Sequence, residues 1–169
     1  MKSREQDGSR RRPTSLTALQ YAVKLLSSRS YSEAKLREKL LARGYEAGDI
    51  DYGLERLREK RLLDDRRYAE EFVRTRLTMR PRAASILIRE LRQRGIAQRL
   101  AKQVTDELVP REANEDIARD LIRRKLAVYA KLDPMTRRRR LAALLARRGF
   151  PYDTIDKVLR NESDSLTDE

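Results

Sequence analysis

Residues 35–45 read KLREKLLARGY, and two later stretches share their pattern: ILIRELRQRGI at 86–96 and RLAALLARRGF at 140–150. Each closes on a basic residue, a glycine and an apolar residue: Arg43-Gly44-Tyr45, Arg94-Gly95-Ile96 and Arg148-Gly149-Phe150. Leu40, Leu91 and Leu145 lie four residues before the glycine, and Leu36, Leu87 and Leu141 lie eight before it. Leucines at i and i+4 with glycine at i+8 describe the apolar face of a helix closed by a C′ glycine, which accepts the left-handed conformation cheaply. The glycines are 51 and 54 residues apart, so the repeating unit is about fifty residues long.

The similarity continues on both sides. Upstream, Ala22-x-x-Leu25-Leu26, Ala69-x-x-Phe72-Val73 and Ala118-x-x-Leu121-Ile122 share i, i+3, i+4 spacing and read as a preceding helix. Downstream, Ile50, Leu54 and Leu57, then Leu100, Val104 and Leu108, then Ile155, Val158 and Leu159 read as a following helix. No segment alternates with the period of two that a strand needs. The spacing predicts an all-α fold of three tandem three-helix repeats, with helices over 16–29, 32–43 and 47–60; 65–79, 82–94 and 97–108; 112–131, 135–148 and 152–161. Ser32 suits an N-cap, and Pro81, Pro134 and Pro151 suit helix starts. The chain divides into a disordered basic tail (1–15), repeats at 16–63, 64–109 and 110–161, and an acidic tail at 162–169. Repeats this small bury little alone, so they are expected to stack into an elongated, curved body.

Composition narrows the function. Charged residues make up 40% of the chain and aromatics 5%, too little bulk for one deep core but enough for thin helical layers. The net charge is +13, rising through the repeats before the acidic end, which points to a polyanion or a protein carrying one. Neither cysteine nor histidine occurs, which removes disulfides, thiol nucleophiles, imidazole bases and the usual zinc ligands. No metal and no cofactor is expected. No apolar run is long enough to span a membrane, and MKSREQDGSRRRPTS at 1–15 lacks the apolar middle of a signal peptide. The expectation is a soluble cytoplasmic protein, monomeric and without a membrane partner.

One stretch invites a catalytic reading. RLLDDRRYAEEFVRTR (61–76) holds Asp64-Asp65 and Glu70-Glu71, the paired carboxylates that a metal-dependent nuclease would use. Yet Asp64 and Asp65 stand where a helix begins, a position where a carboxylate accepts hydrogen bonds from free N–H groups and complements the helix dipole. Leu62-Leu63 before the cap, with Tyr68 and Phe72 after it, fit a hydrophobic staple. Capping is the stronger reading. Tyr31, Tyr45, Tyr68 and Tyr152 fall at repeat junctions and are expected to pack, while Tyr21 and Tyr129 stay open to either role.

The chemistry-bearing residues are arginines. In the first repeat acidic residues interleave with basic ones, Glu33 with Arg37 and Glu55 and Glu59 with Arg58, as on a solvated helix face. The second and third differ: Arg74 to Arg89 and Arg137 to Arg148 contain no acidic residue. The candidates for contact with a polyanion are Arg74, Arg76, Arg80, Arg82, Arg89, Arg92, Arg123, Arg124, Lys125, Arg137, Arg138, Arg139, Arg140, Arg147 and Arg148. Arginine outnumbers lysine here, which favours bidentate contact with phosphate or carboxylate. Arg74 and Arg76 read as the exposed, unpaired end of the acidic stretch.

LLDDRRYAEEFVRTR, followed after a basic link by ELRQRGI, resembles the signature of the RecX family of bacterial recombination regulators, and ARDLIRRKL with DPMTRRRRLAALLARRGFPYDTIDKVL resembles its C-terminal repeat. The resemblance covers residues 16–160. It implies tandem three-helix repeats in a crescent and a non-enzymatic role: binding the RecA recombinase, lodging in the groove of RecA–DNA filaments, and restraining ATP hydrolysis and strand exchange in recombination, DNA repair and the SOS response. Arg61 departs from the pattern, which often has glycine there, and this puts the tightness of the turn in question. An independent DNA-binding protein built from helix-turn-helix-like units is the alternative.

Overall fold

A computed structural model describes residues 16–165, and among them every regular element is an α-helix. The helices are α1 (Ala18–Ser28), α2 (Glu33–Arg43), α3 (Ala47–Glu59), α4 (Asp65–Met79), α5 (Ala84–Gln93), α6 (Gln98–Leu108), α7 (Arg111–Tyr129), α8 (Pro134–Arg147) and α9 (Tyr152–Ser165). They follow one another as three three-helix repeats. Residues 1–15 and 166–169, on which the two tail assignments largely fall, lie outside the described residues.

Local chemistry explains where these helices start and stop. Thr17 opens α1 with a reciprocal cap, its hydroxyl accepting from the Gln20 N–H while the Gln20 side chain accepts from the Thr17 N–H. Ser32 caps α2 through Lys35, and Asp133 caps α8 through Thr136 with Pro134 at the first helical position. Gly44, Gly95 and Gly149 follow α2, α5 and α8 with φ of 94°, 85° and 83°, the left-handed closure that the repeated glycines imply. Arg61 takes φ 54° in the turn after α3. It adopts the conformation that glycine would adopt without cost, so the turn stays tight and the side chain pays a small strain. Pro81 does not start a helix: α5 begins three residues later.

The repeated leucines are the core. Leu36, Leu40, Leu87, Leu91 and Leu145 are fully buried and Leu141 nearly so, as are the matching alanines Ala22, Ala69 and Ala118. On α6 the buried stripe is Ala101, Val104 and Thr105; Leu100 and Leu108 are only half-buried, a shift from the expected face. The chain forms two compact units, one up to Tyr68 and one from Ala69. In the first, α1 packs on α3 closely enough that a methyl group on Gly53 would stand 3.3 Å from the Leu19 backbone nitrogen. In the second, α5 packs on α6, and α7, α8 and α9 enclose Ile122, Leu145, Phe150 and Val158.

The second unit also joins distant parts of the chain. The Ala83 N–H donates to the Arg148 carbonyl (3.1 Å), the Arg148 guanidinium donates to the Pro81 carbonyl (2.8 Å), and the Ser85 hydroxyl reaches the Gly149 carbonyl (3.5 Å). Gly149 lies so close to Ile86 that a Cβ there would stand 2.1 Å from the isoleucine Cγ1. The segment 81–86 is thereby clasped to the turn 147–150.

Candidate polyanion-binding site

The acidic stretch resolves first. Asp64 Oδ1 accepts from the N–H groups of Arg66 (2.9 Å) and Arg67 (3.0 Å), which makes it the N-cap of α4. Asp65 Oδ1 instead accepts from the Glu33 N–H at 2.8 Å, so it serves the start of α2. Adjacent aspartates thus close two helices. Burial pushes the Asp65 carboxyl above its ordinary value, and the hydrogen bond from Glu33 offsets only part of that. Among the described residues no three carboxylates converge. Of the staple, Leu63 is buried and Leu62 is half-exposed. Tyr45 is buried, whereas Tyr152, expected to pack, is 78% exposed.

The arginines divide into those the fold uses and those it leaves to solvent. Arg76 is not the free end of the acidic stretch: it is half-buried, its Nε donates to Glu90 Oε2 at 2.9 Å, and its guanidinium lies over Phe72. Arg82 pairs with Glu90 Oε1 at 3.3 Å, and Arg74 stands 3.7 Å from Glu70. The run at 137–140 is mostly committed. Arg137 donates to the carbonyls of Ala130 and Leu132 beyond the end of α7, Arg138 pairs with Asp156 at 3.0 Å, and Arg140 lies over the Tyr129 ring. Arg123 stands 3.4 Å from Asp120. Of the candidates, those exposed with neither a carboxylate nor a ring partner among the described residues are Arg80, Arg89, Arg92, Arg124, Lys125, Arg139 and Arg147.

The clasp brings four of the candidates together. Arg80 and Arg82 lie in the segment before α5, Arg147 is the last residue of α8, and Arg148 follows it. Burial lowers the Arg148 pKa from its ordinary value, and repulsion from Arg82, Arg80 and Arg147 lowers it further. A like-charge cluster held by backbone hydrogen bonds costs free energy unless an anion joins it, so it is suited to bind one. Chain positions 67 residues apart, Pro81 and Arg148, are in direct contact here.

Models of three-helix domains match the chain in order: the first domain of RecX over residues 18–57, the second over 64–104 and the third over 113–159. The chain belongs to the RecX family. Regulatory protein RecX of Stenotrophomonas maltophilia (strain K279a) is 36% identical over 159 residues, spanning 93% of this chain and 94% of that protein. Regulatory protein RecX of Pelodictyon phaeoclathratiforme is 32% identical over 143 residues, 85% of this chain and 87% of that protein. The crystal structure of RecX from Lactobacillus salivarius shares the fold, with a TM-score of 0.74 at 20% identity over 85% of this chain and 93% of that one.

Within this RecX-family chain, the residues that sequence reading missed are Glu90, Phe72 and Arg94. Arg94 lies over the Phe72 ring at 4.3 Å, and its Nη1 donates to the Glu90 carbonyl. The signal was present but fell just outside the window: Arg74 to Arg89 is free of acids, and the partner is the very next residue. In the first unit several basic residues are paired across helix faces, Arg58 with Glu55 and Glu33 and Lys35 with Glu38; Arg37 takes Asp51 rather than Glu33.

Proposed function

We propose that this chain is a non-enzymatic regulator of the RecA recombinase, binding RecA–DNA filaments in their groove and restraining ATP hydrolysis and strand exchange in recombination, DNA repair and the SOS response. Membership of the RecX family supports the regulatory role. The observation that carries the mode of binding is the clasped cluster of Arg80, Arg82, Arg147 and Arg148, with exposed Arg80 and Arg147 offered to phosphates or acidic side chains. Regulation follows from mass action: a ligand that prefers one filament state raises its population by its differential affinity. The chain acts as a monomer in the cytoplasm.

The cluster would also suit naked DNA, so the two partners have to be separated. The experiment is binding to naked duplex, naked single strand and RecA-coated single strand at physiological salt. Tighter binding to the coated strand is expected. Equal or tighter binding to naked DNA would make this an independent DNA-binding protein.

A further inference from the structure

Among the described residues, Glu90 is the carboxylate that two arginines of this face share. Its Oε2 accepts from Arg76 Nε at 2.9 Å, and its Oε1 lies 3.3 Å from Arg82 Nη1. Its backbone carbonyl accepts from Arg94 Nη1 at 3.1 Å, and Arg76 and Arg94 both lie over Phe72. The carboxylate is well covered, its side chain 14% exposed, while Arg76 and Arg82 keep 26% and 30%. Three guanidinium groups, from α4, the following linker and the residue that ends α5, thus meet at one residue, and each carboxylate oxygen takes one arginine. Arg82 keeps its buried Nε without an acceptor, so the carboxylate does not satisfy the fork completely.

A carboxylate gripped by two guanidinium groups has the shape and charge of a phosphodiester gripped by the same two. We propose that Glu90 is an internal counter-ion, standing in for a nucleic-acid phosphate and keeping Arg76 and Arg82 out of contact with the polyanion. This rests on the reading of the arginine face as a filament-binding surface and adds its regulation. Glu90 reduces the number of free cations on that face, so binding to naked DNA stays weak and falls less steeply with salt than it would without it. The preference for a protein-coated filament is then set partly by one side chain. A phosphate is favoured over an acidic protein segment as the displaced partner because the neighbouring Arg80 and Arg147 extend the fork into a run of cations, which suits a repeating backbone charge.

The test is the salt dependence of binding to a fluorescein-labelled DNA duplex, measured for wild type, Glu90→Gln and Glu90→Asp, with thermal melts of each. Each phosphate neutralised adds about 0.9 to the slope of log affinity against log salt. Glu90→Gln is expected to bind several-fold tighter at low salt with a slope steeper by about one to two, and Glu90→Asp to keep the wild-type slope. Arg82→Gln should remove part of the gain in the Glu90→Gln background, and Arg76→Gln with it the rest. If Glu90→Gln does not fold, the double variant Arg76→Gln/Arg82→Gln decides: an unchanged slope supports the counter-ion, and a lower slope overturns it by showing both arginines already in contact. A folded Glu90→Gln with wild-type slope and affinity also overturns it, leaving Glu90 a packing contact. Tightening toward a RecA-coated filament but not toward naked duplex would assign the displaced partner to an acidic protein face and overturn the phosphate assignment. Wild type that binds neither naked nor coated DNA would instead sink the proposed function itself.

Discussion

Asp65 shows how one side chain settles between chemistry and architecture. It is half-buried, its carboxyl is raised by burial, and its oxygen closes α2 from 32 residues away. Because the folded pKa lies above the unfolded one, the charged form opposes folding. That cost is present at neutral pH and disappears as pH falls through the raised value toward the ordinary carboxylate range. Asp65→Asn keeps an oxygen for the Glu33 N–H and loses the charge. It should therefore match or exceed wild-type stability at pH 7 and lose the advantage in acid. Asp65→Ala loses the acceptor and should cost about 1 kcal/mol at pH 7, read as the shift in urea midpoint. A nuclease site predicts the opposite ranking, with Asn as damaging to activity as Ala and no pattern in stability.

At the scale of the element, helix ends were legible and arginine fates were not. Glycine, proline and a capping serine act within a few residues of where they stand, so Gly44, Gly95, Gly149, Ser32 and Pro134 mark boundaries that the structure keeps. An arginine reaches several ångströms in any direction, and its partner need not be near in sequence. Asp156, which takes Arg138, is 18 residues on; the carbonyls that take Arg137 are five and seven residues back. Arg137 closes the end of α7 through Ala130 and Leu132, whereas Arg139 touches no carboxylate among the described residues. Arg137→Ser should lower stability by about 1–2 kcal/mol. Arg139→Ser should stay within roughly 0.5 kcal/mol of wild type. Chemical denaturation of the two single variants checks both values, and equal losses would mean that the α7 cap carries no weight.

For the molecule, the number and order of repeats could be read from leucine and glycine spacing because each repeat must bury the same face to fold. The clasp between 81–86 and 147–150 could not be read, since it depends on backbone carbonyls and on the missing side chain of Gly149. That clasp is what turns two separate basic stretches into one cluster, and so it carries the functional claim. The most direct test titrates the protein into RecA–single-stranded-DNA filaments while following ATP hydrolysis, comparing wild type with Arg80→Ser/Arg147→Ser. Wild type should suppress hydrolysis. The double variant, with unchanged melting, should need roughly tenfold more protein, the equivalent of about 1.4 kcal/mol. Equal suppression by both proteins would contradict a role for this cluster, and no suppression by wild type would contradict the regulatory account as a whole.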